Sequence, residues 1–169
     1  KKKGKANVRE AAALVEYLAA ELAEGSGALA RRGATVGIIS LMGKEQVRVL
    51  RALLLQHVSD AQLARHRIVV GDPSSFQGDE RDVILLSMVA SPGAAPTQVG
   101  RMYEQRFNVA LSRARDRMVL FRSVDTKDIS NRSDLKVATI RFFSQDGGGG
   151  GGGGLDRVRG AGAAALSSS

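Results

Sequence analysis

The strongest constraint on the fold is a change of hydrophobic period that repeats along the chain. Short apolar runs rich in β-branched residues, Thr35 to Leu41, Val83 to Val89 and Met118 to Phe121, alternate with longer stretches in which apolar side chains recur at spacings of three and four. A run that is apolar on both faces suits a strand inside a parallel sheet, and the three-and-four spacing suits a helix that buries one face. The helical stretches are Asn7 to about Gly25, with Val8, Ala11, Val15, Leu18 and Leu22 on one face; Lys44 to His57, with Val47, Leu50, Leu54 and Val58; Arg101 to Ala114, with Tyr103, Phe107, Ala110, Leu111 and Ala114; and Ser133 to Phe143. Arg67 to Val70 reads as one further short strand. Asn7 opens the first helix as an N-cap, with Glu10 three positions on in a capping-box-like arrangement. Strands alternating with helices predict an α/β domain whose mainly parallel sheet is flanked by helices. In such sheets ligands bind at loops on the strand ends, and the loop from Gly71 to Glu80, rich in Ser, Pro and Gly, lies between two of these strands.

The chain has 169 residues, of which 43% are hydrophobic and 25% charged, enough for the core of one ordinary domain. Three segments are expected: a basic arm over residues 1–6, the folded domain over 7–146, and a tail over 147–169. The tail opens with eight consecutive glycines at 147–154 and continues rich in Ala and Ser, a composition that cannot bury enough apolar surface to order itself. The net charge of +8 is unevenly spread, because residues 1–10 hold five basic groups against Glu10 and the last fifteen residues add +1, leaving +3 for the body. An ordinary solvated surface carries that much, so bulk charge alone does not call for a polyanionic partner. The local excess is more telling: Arg101, Arg106, Arg113, Arg115, Arg117 and Arg122 face only Glu104 and Asp116. The start, Lys1-Lys2-Lys3-Gly4-Lys5, reads as a solvated linker, with a phosphate-binding arm or a nuclear-import signal as alternatives. The expected compartment is intracellular, with nuclear and cytoplasmic both open. No stretch approaches the roughly 18 to 20 apolar residues of a membrane span, and no apolar signal core follows the lysines, so neither membrane insertion nor secretion is expected.

Several chemistries are excluded by residue type. With no cysteine there is no thiolate zinc site and no cysteine nucleophile. His57 ends an amphipathic helix and His66 sits among arginines, without carboxylates at ligand spacing, so no metal site is expected. No Gly-x-Ser-x-Gly or Ser-x-x-Lys motif occurs, and Ser112 among arginines reads as a surface residue. Gly37, Gly43 and Lys44 suggest a phosphate loop but fail its pattern: five residues instead of four separate the glycines, and Glu45 stands where a magnesium-binding hydroxyl belongs. The chain therefore cannot hold a triphosphate and Mg2+ alone in the usual way.

Two phrases rise above this background. One is Gly71-Asp72-Pro73-Ser74-Ser75-Phe76-Gln77-Gly78-Asp79-Glu80-Arg81-Asp82, followed by the run Val83-Ile84-Leu85-Leu86-Ser87-Met88; the other is Gln105-Arg106-Phe107-Asn108-Val109-Ala110-Leu111-Ser112-Arg113-Ala114-Arg115. With Val36-Gly37-Ile38-Ile39-Ser40-Leu41 they resemble, in order and approximate spacing, motifs V, VI and IV of superfamily 1 helicases, most closely the branch of RNA-decay and Dna2-like helicases. The resemblance covers about residues 34 to 143. Leu41 and Met42 depart from the usual Pro-Tyr of motif IV, and Asp72-Pro73-Ser74 from the usual Val-Asp before Phe-Gln-Gly.

The resemblance implies a RecA-like second motor domain, P-loop NTPase-like in fold but lacking its own P-loop, with ATP and Mg2+ held mainly by a separate N-terminal RecA-like domain of the same polypeptide. Arg113 takes the family's arginine-finger position, which suits a guanidinium whose fixed donor fork offsets charge on a transferring phosphoryl group. Gln77, Gly78 and Glu80 fall on the ATP side, with Glu80 placed like the carboxylate that binds the nucleotide sugar. Arg106, seven residues before Arg113 and so on nearly the same face of one helix, is a supporting ATP-side residue. Asp82 is expected to close the loop by hydrogen bonds, and Arg115 to pair with such a carboxylate. Ser40 and Lys44 in motif IV, and Ser74 and Ser75 in motif V, are implied contacts to the backbone of single-stranded DNA or RNA, a grip independent of sequence and sensitive to salt. The implied whole is an ATP-dependent helicase or translocase, in which the isolated chain is inactive. The alternative is a helicase-derived module that binds nucleic acid or protein without hydrolysing ATP.

Overall fold

A computed structural model describes residues 6–93, 96–145 and 163–167. In chain order the elements are α1 (Val8–Glu21), α2 (Ala28–Arg32), β1 (Val36–Ser40), α3 (Lys44–His57), α4 (Asp60–Arg65), β2 (Val69–Gly71), β3 (Arg81–Ser87), α5 (Arg101–Leu111), β4 (Ala114–Phe121), α6 (Leu135–Gln145) and β5 (Ala163–Ser167), with single 3-10 turns at Pro73–Phe76 and Thr126–Asp128. The sheet runs β2-β1-β3-β4-β5; its first four strands are parallel and β5 is antiparallel to β4. The fold is thus α/β with a parallel sheet flanked by helices, as the alternation of periods predicts.

The pleat divides the core in two. One set of strand side chains, Val36, Ile38, Val83, Leu85, Val119 and Phe121, packs under α1 and α3 through Leu14, Leu18, Leu50 and Leu54. The alternate set, Ile39, Ile84, Leu86, Met118 and Leu120, packs under α5 and α6 through Phe107, Ala110, Val137, Ile140 and Phe143. Phe76, from the 3-10 turn, is fully buried in this second layer. It lies over β1 where residue 37 is glycine, and a Cβ there would come within 2.7 Å of its ring. Gly37 is therefore a packing glycine under an aromatic ring, consistent with its failure to fit a phosphate loop.

Local chemistry sets the helix ends. Asn7 caps α1, its side chain accepting from the Glu10 amide, and Ser59 and Gln62 form a full capping box on α4. Neither α2 nor α4 is evident in the sequence, since α2 has only five residues and α4 buries none. The sequence also carries the fifth helix to Ala114, whereas α5 stops at Leu111 with Ser112 as its C-cap. Ala114 instead pairs with Arg81 at the start of β4, and the Arg81 amide donates to the Arg113 carbonyl at 3.0 Å, which draws the chain out of the helix. Residues 147–169 read as a tail without order; within it, residues 163–167 form β5, whose alanine-rich backbone pairs with the edge that β4 would otherwise leave open. The rest of that tail, and the basic arm through Lys5, lie outside the described residues.

Candidate functional site

Parallel strands begin on one edge of the sheet and end on the other, and the residues singled out by the sequence separate accordingly. On the edge where strands begin, the chain leaves Phe76, turns through Gln77, Gly78, Asp79 and Glu80, and enters β3. Gly78 holds φ +79° with open space where a side chain would project, so the turn needs glycine for its backbone and leaves room against it. Gln77, Gly78 and Glu80 are exposed. Arg81 pairs with Asp79, and Arg115 donates to Glu80 at 3.1 Å, the pairing expected of it. Asp82 accepts from the amide and hydroxyl of Thr35 at 2.8 and 2.7 Å. The Thr35 amide, then its hydroxyl, hold the Asp82 carboxyl below the usual aspartate range, so this residue closes the loop as expected.

Arg113 stands beside that turn, joined to it through the Arg81–Arg113 backbone bond. It is half-buried, and its guanidinium folds back on the end of α5, donating to the Val109 carbonyl at 3.1 Å and to the Ser112 hydroxyl at 2.8 Å. Among the described residues Arg113 has no carboxylate partner, unlike Arg32, Arg81, Arg115 and Arg117, which pair with Asp116, Asp79, Glu80 and Glu21. It sits in the link from α5 to β4, so the sequence reading that places it on the helix is corrected. The same correction separates it from Arg106: the two do not share a helical face, and the positive charge of Arg106 instead acts on Asp72.

The edge where strands end carries the other group. Asp72, following β2, accepts from the Ser74 and Ser75 hydroxyls at 2.6 and 3.0 Å and from the Ser75 amide at 3.1 Å. The Ser74 hydroxyl foremost holds the Asp72 carboxyl below its ordinary value. Both serines are exposed, with their hydroxyl protons directed into this turn. Ser40 is fully buried and donates to the Met42 carbonyl at 2.6 Å, which shapes the loop into α3 rather than presenting a hydroxyl on the surface. Lys44 is exposed at the first position of α3.

Beneath this second edge lies a polar cluster that the sequence does not reveal. Gln46, fully buried, accepts from the Asn7 amide at 2.7 Å and donates to the Asn7 carbonyl at 3.1 Å and to the Ser87 hydroxyl at 3.0 Å. Ser87 and the Val89 amide both donate to Glu10 Oε1, at 2.7 and 2.8 Å. Glu10 is only 3% exposed, and burial pushes its carboxyl up to about 7 against the pull of these donors. The helix-cap pattern accounts for Asn7 and Glu10 so completely that nothing in it signals their burial.

The family of AAA domains designated AAA_12 matches residues 1–125. The chain belongs to this family. AAA_12 is the C-terminal helicase domain of superfamily 1 helicases of the RNA-decay and Dna2-like kind, which agrees with the resemblance carried by motifs IV to VI and sets the chain in an ATPase context. The matched stretch takes in α1 through β4, and with them both edges of the AAA_12 sheet; α6 lies beyond it. No curated protein matches the chain. Among the described residues no group of His, Asp or Glu could hold a metal ion, and no helix is long and apolar enough to cross a membrane.

Proposed function

We propose that this AAA_12 chain is the second motor domain of an ATP-dependent superfamily 1 helicase or translocase acting on single-stranded DNA or RNA, supplying Arg113 to ATP bound with Mg2+ by an N-terminal RecA-like domain of the same polypeptide. The observation that carries the reading is the juxtaposition on one sheet edge of the open Gln77–Glu80 turn and a guanidinium that has no carboxylate partner among the described residues. The residues fit one side of a nucleotide: a backbone turn open at Gly78, an exposed carboxylate on Glu80, and a cation one strand away. They do not fit the other side, since phosphate loop and metal ligands are both lacking from the described domain. ATP supplies the γ-phosphoryl group. Arg113 would swing from Val109 and Ser112 toward it when the two domains close, and Glu80, steadied by Arg115, would take the sugar. Arg106, through Asp72, supports the opposite edge, where Lys44 and the Ser74–Ser75 turn would meet the strand backbone and Ser40 would shape the loop before Lys44.

The test is Arg113→Ala in the polypeptide that carries this chain together with its N-terminal motor domain. Strand-stimulated ATP turnover should fall by about 10³ to 10⁵, with nucleotide binding and the circular dichroism of the fold little changed. Turnover within a fewfold of wild type in a folded variant overturns the assignment. If no Walker-type domain precedes the chain, the reading as a binding module without ATP hydrolysis takes its place.

A further inference from the structure

The loops that leave β3 and β4 enclose a cavity of about 210 Å3 that the function proposed above leaves unused. Thr97, from the segment before α5, and Asp128, Ser130 and Asn131, from the loop before α6, line it with exposed polar groups, together with the buried Ile129 and Asp134. Its frame is fixed before any ligand arrives. Asp134 accepts from the Gln98 amide at 3.0 Å, the Lys136 amide at 2.9 Å and the Lys136 ammonium at 2.7 Å, and that ammonium also donates to the Pro96 carbonyl at 2.6 Å. Thr97 is thereby tied on both sides to the start of α6. In the other wall Asp128 Oδ2 accepts from the Asp125 amide at 2.7 Å, and Asn131 Oδ1 accepts from the Ser133 amide at 2.9 Å. Walls ordered in advance lower the cost of binding.

These bonds leave a set of donors and acceptors over. The Thr97 and Ser130 hydroxyls, Asn131 Nδ2 and Asp128 Oδ1 have no hydrogen-bond partner among the described residues. Charge and size then select the ligand. Lys136 neutralises Asp134, so Asp128 is the one uncompensated carboxylate of the lining; it repels a phosphate group and does not suffice for a metal ion. The volume lies below the roughly 300 to 1,000 Å3 of drug-sized sites, which suits a single ring system rather than a whole nucleotide. A neutral heterocycle that gives N–H groups to the carboxylate and takes hydrogens from Asn131 and the hydroxyls meets the remaining demands. Among the nucleobases, guanine alone carries two adjacent N–H donors beside a carbonyl acceptor on its pairing edge.

Position supplies such a base. The cavity opens on the edge where strands end, as do Ser74 and Ser75, and the 3-10 turn that holds those serines packs on α5. One helix, about 10 Å across, therefore separates the serines from the cavity at the starts of α5 and α6. We propose that this cavity is a base pocket that takes a guanine splayed from the bound single strand, Asp128 accepting from its N1–H and N2–H and Asn131 Nδ2 donating to its O6. Single strands are read in this way, by bases turned out of the stack and bonded on their pairing edges. The pocket gives a grip otherwise made on the backbone a preference for guanine at one position. That the base arrives in a strand rests on the strand-binding reading above; that the cavity holds guanine does not.

The test is an NMR titration of the whole chain, observed at its backbone amides, with a short oligothymidylate, with the same oligomer carrying one central guanine or one central hypoxanthine, and with guanosine alone. The guanine oligomer should bind about tenfold more tightly than the all-thymine one and shift the amides of Gly93, Ser130 and Asn131. Hypoxanthine lacks the 2-amino group and should lose about fivefold of that gain. Asp128→Asn keeps an oxygen for the Asp125 amide but no longer offers two acceptors, so the guanine preference should vanish there while binding of the all-thymine oligomer persists. A guanine oligomer that binds without moving these amides, or a preference that survives in Asp128→Asn, overturns the pocket. Guanosine separates the two readings. Shifts at the pocket, with none from any oligomer at Lys44, Ser74 or Ser75, keep the pocket and reject the strand grip; guanosine and guanine oligomer that both leave the pocket amides unmoved reject the pocket whatever the strand does.

Discussion

At the scale of single residues, the two glycines on either side of Phe76 and the Gln77–Glu80 turn act for different physical reasons. Gly78 is required by its backbone, since φ +79° costs any residue with a Cβ while nothing stands in the way of a side chain. Gly37 is required by its surroundings. An added Cβ would lie 2.6 Å from Ile84 Cδ1 and 2.7 Å from Phe76 Cε1, inside a layer where both side chains are fully buried. Interiors this dense cannot give way locally, so Gly37→Ala should cost about 1 to 3 kcal/mol in urea unfolding. Phe76 also delivers the chain into Gln77–Glu80, so the same substitution should displace that turn, visible as chemical-shift changes at Gly78 and Arg113. A change confined to β1 would show that the turn is held by its own bonds to β4 instead of by Phe76.

At the scale of elements, what the sequence discloses depends on whether an element's fate is decided locally. α1, α3 and the three long apolar strands are legible because each carries its burial pattern within its own length. α5 is legible in its middle and misleading at its end, because a pairing with Arg81, more than thirty residues away, ends it at Leu111. That one boundary decides whether Arg113 rides on a rigid helix or in a link, and a boundary set by so distant a pairing leaves no local trace in the sequence. The buried Asn7–Glu10–Gln46–Ser87 cluster was hidden for a related reason: its members come together only in the sheet.

The start of α6 is a third case. Lys136 and Asp134, 0% and 1% exposed, form an ion pair at 2.7 Å, with Lys136 donating to the Pro96 carbonyl and Asp134 accepting from the Gln98 amide. This clamp fastens α6 to the segment leading into α5. Lys136→Met leaves the aspartate buried without its cation and should cost about 3 to 5 kcal/mol, whereas Asp134→Leu added to it should recover much of that, since apolar pairs often replace buried ion pairs without loss. Calorimetric melting of the two variants distinguishes a clamp that is indispensable as charge from one that is replaceable as packing.

At the scale of the whole molecule, carboxyls held by donors and the carboxyl dominated by burial pull stability in opposite directions as pH changes. Asp72 and Asp82 have folded values below 3.8, so their contribution is present above that value and lost as acid titrates them. Glu10 is raised from 4.5 to about 7, so the folded chain holds a proton that the unfolded chain has already released. Its contribution is therefore complete below about pH 4.5 and disappears as pH rises through about 7. A displacement of that size in a group this buried corresponds to about 3 kcal/mol. Wild-type stability, taken relative to Glu10→Gln so that all other titrations cancel, should accordingly fall by about 3 kcal/mol between roughly pH 5 and pH 8.5. A difference between wild type and Glu10→Gln that stays flat across that interval would mean that the Glu10 carboxyl is not held above its ordinary range in the folded chain.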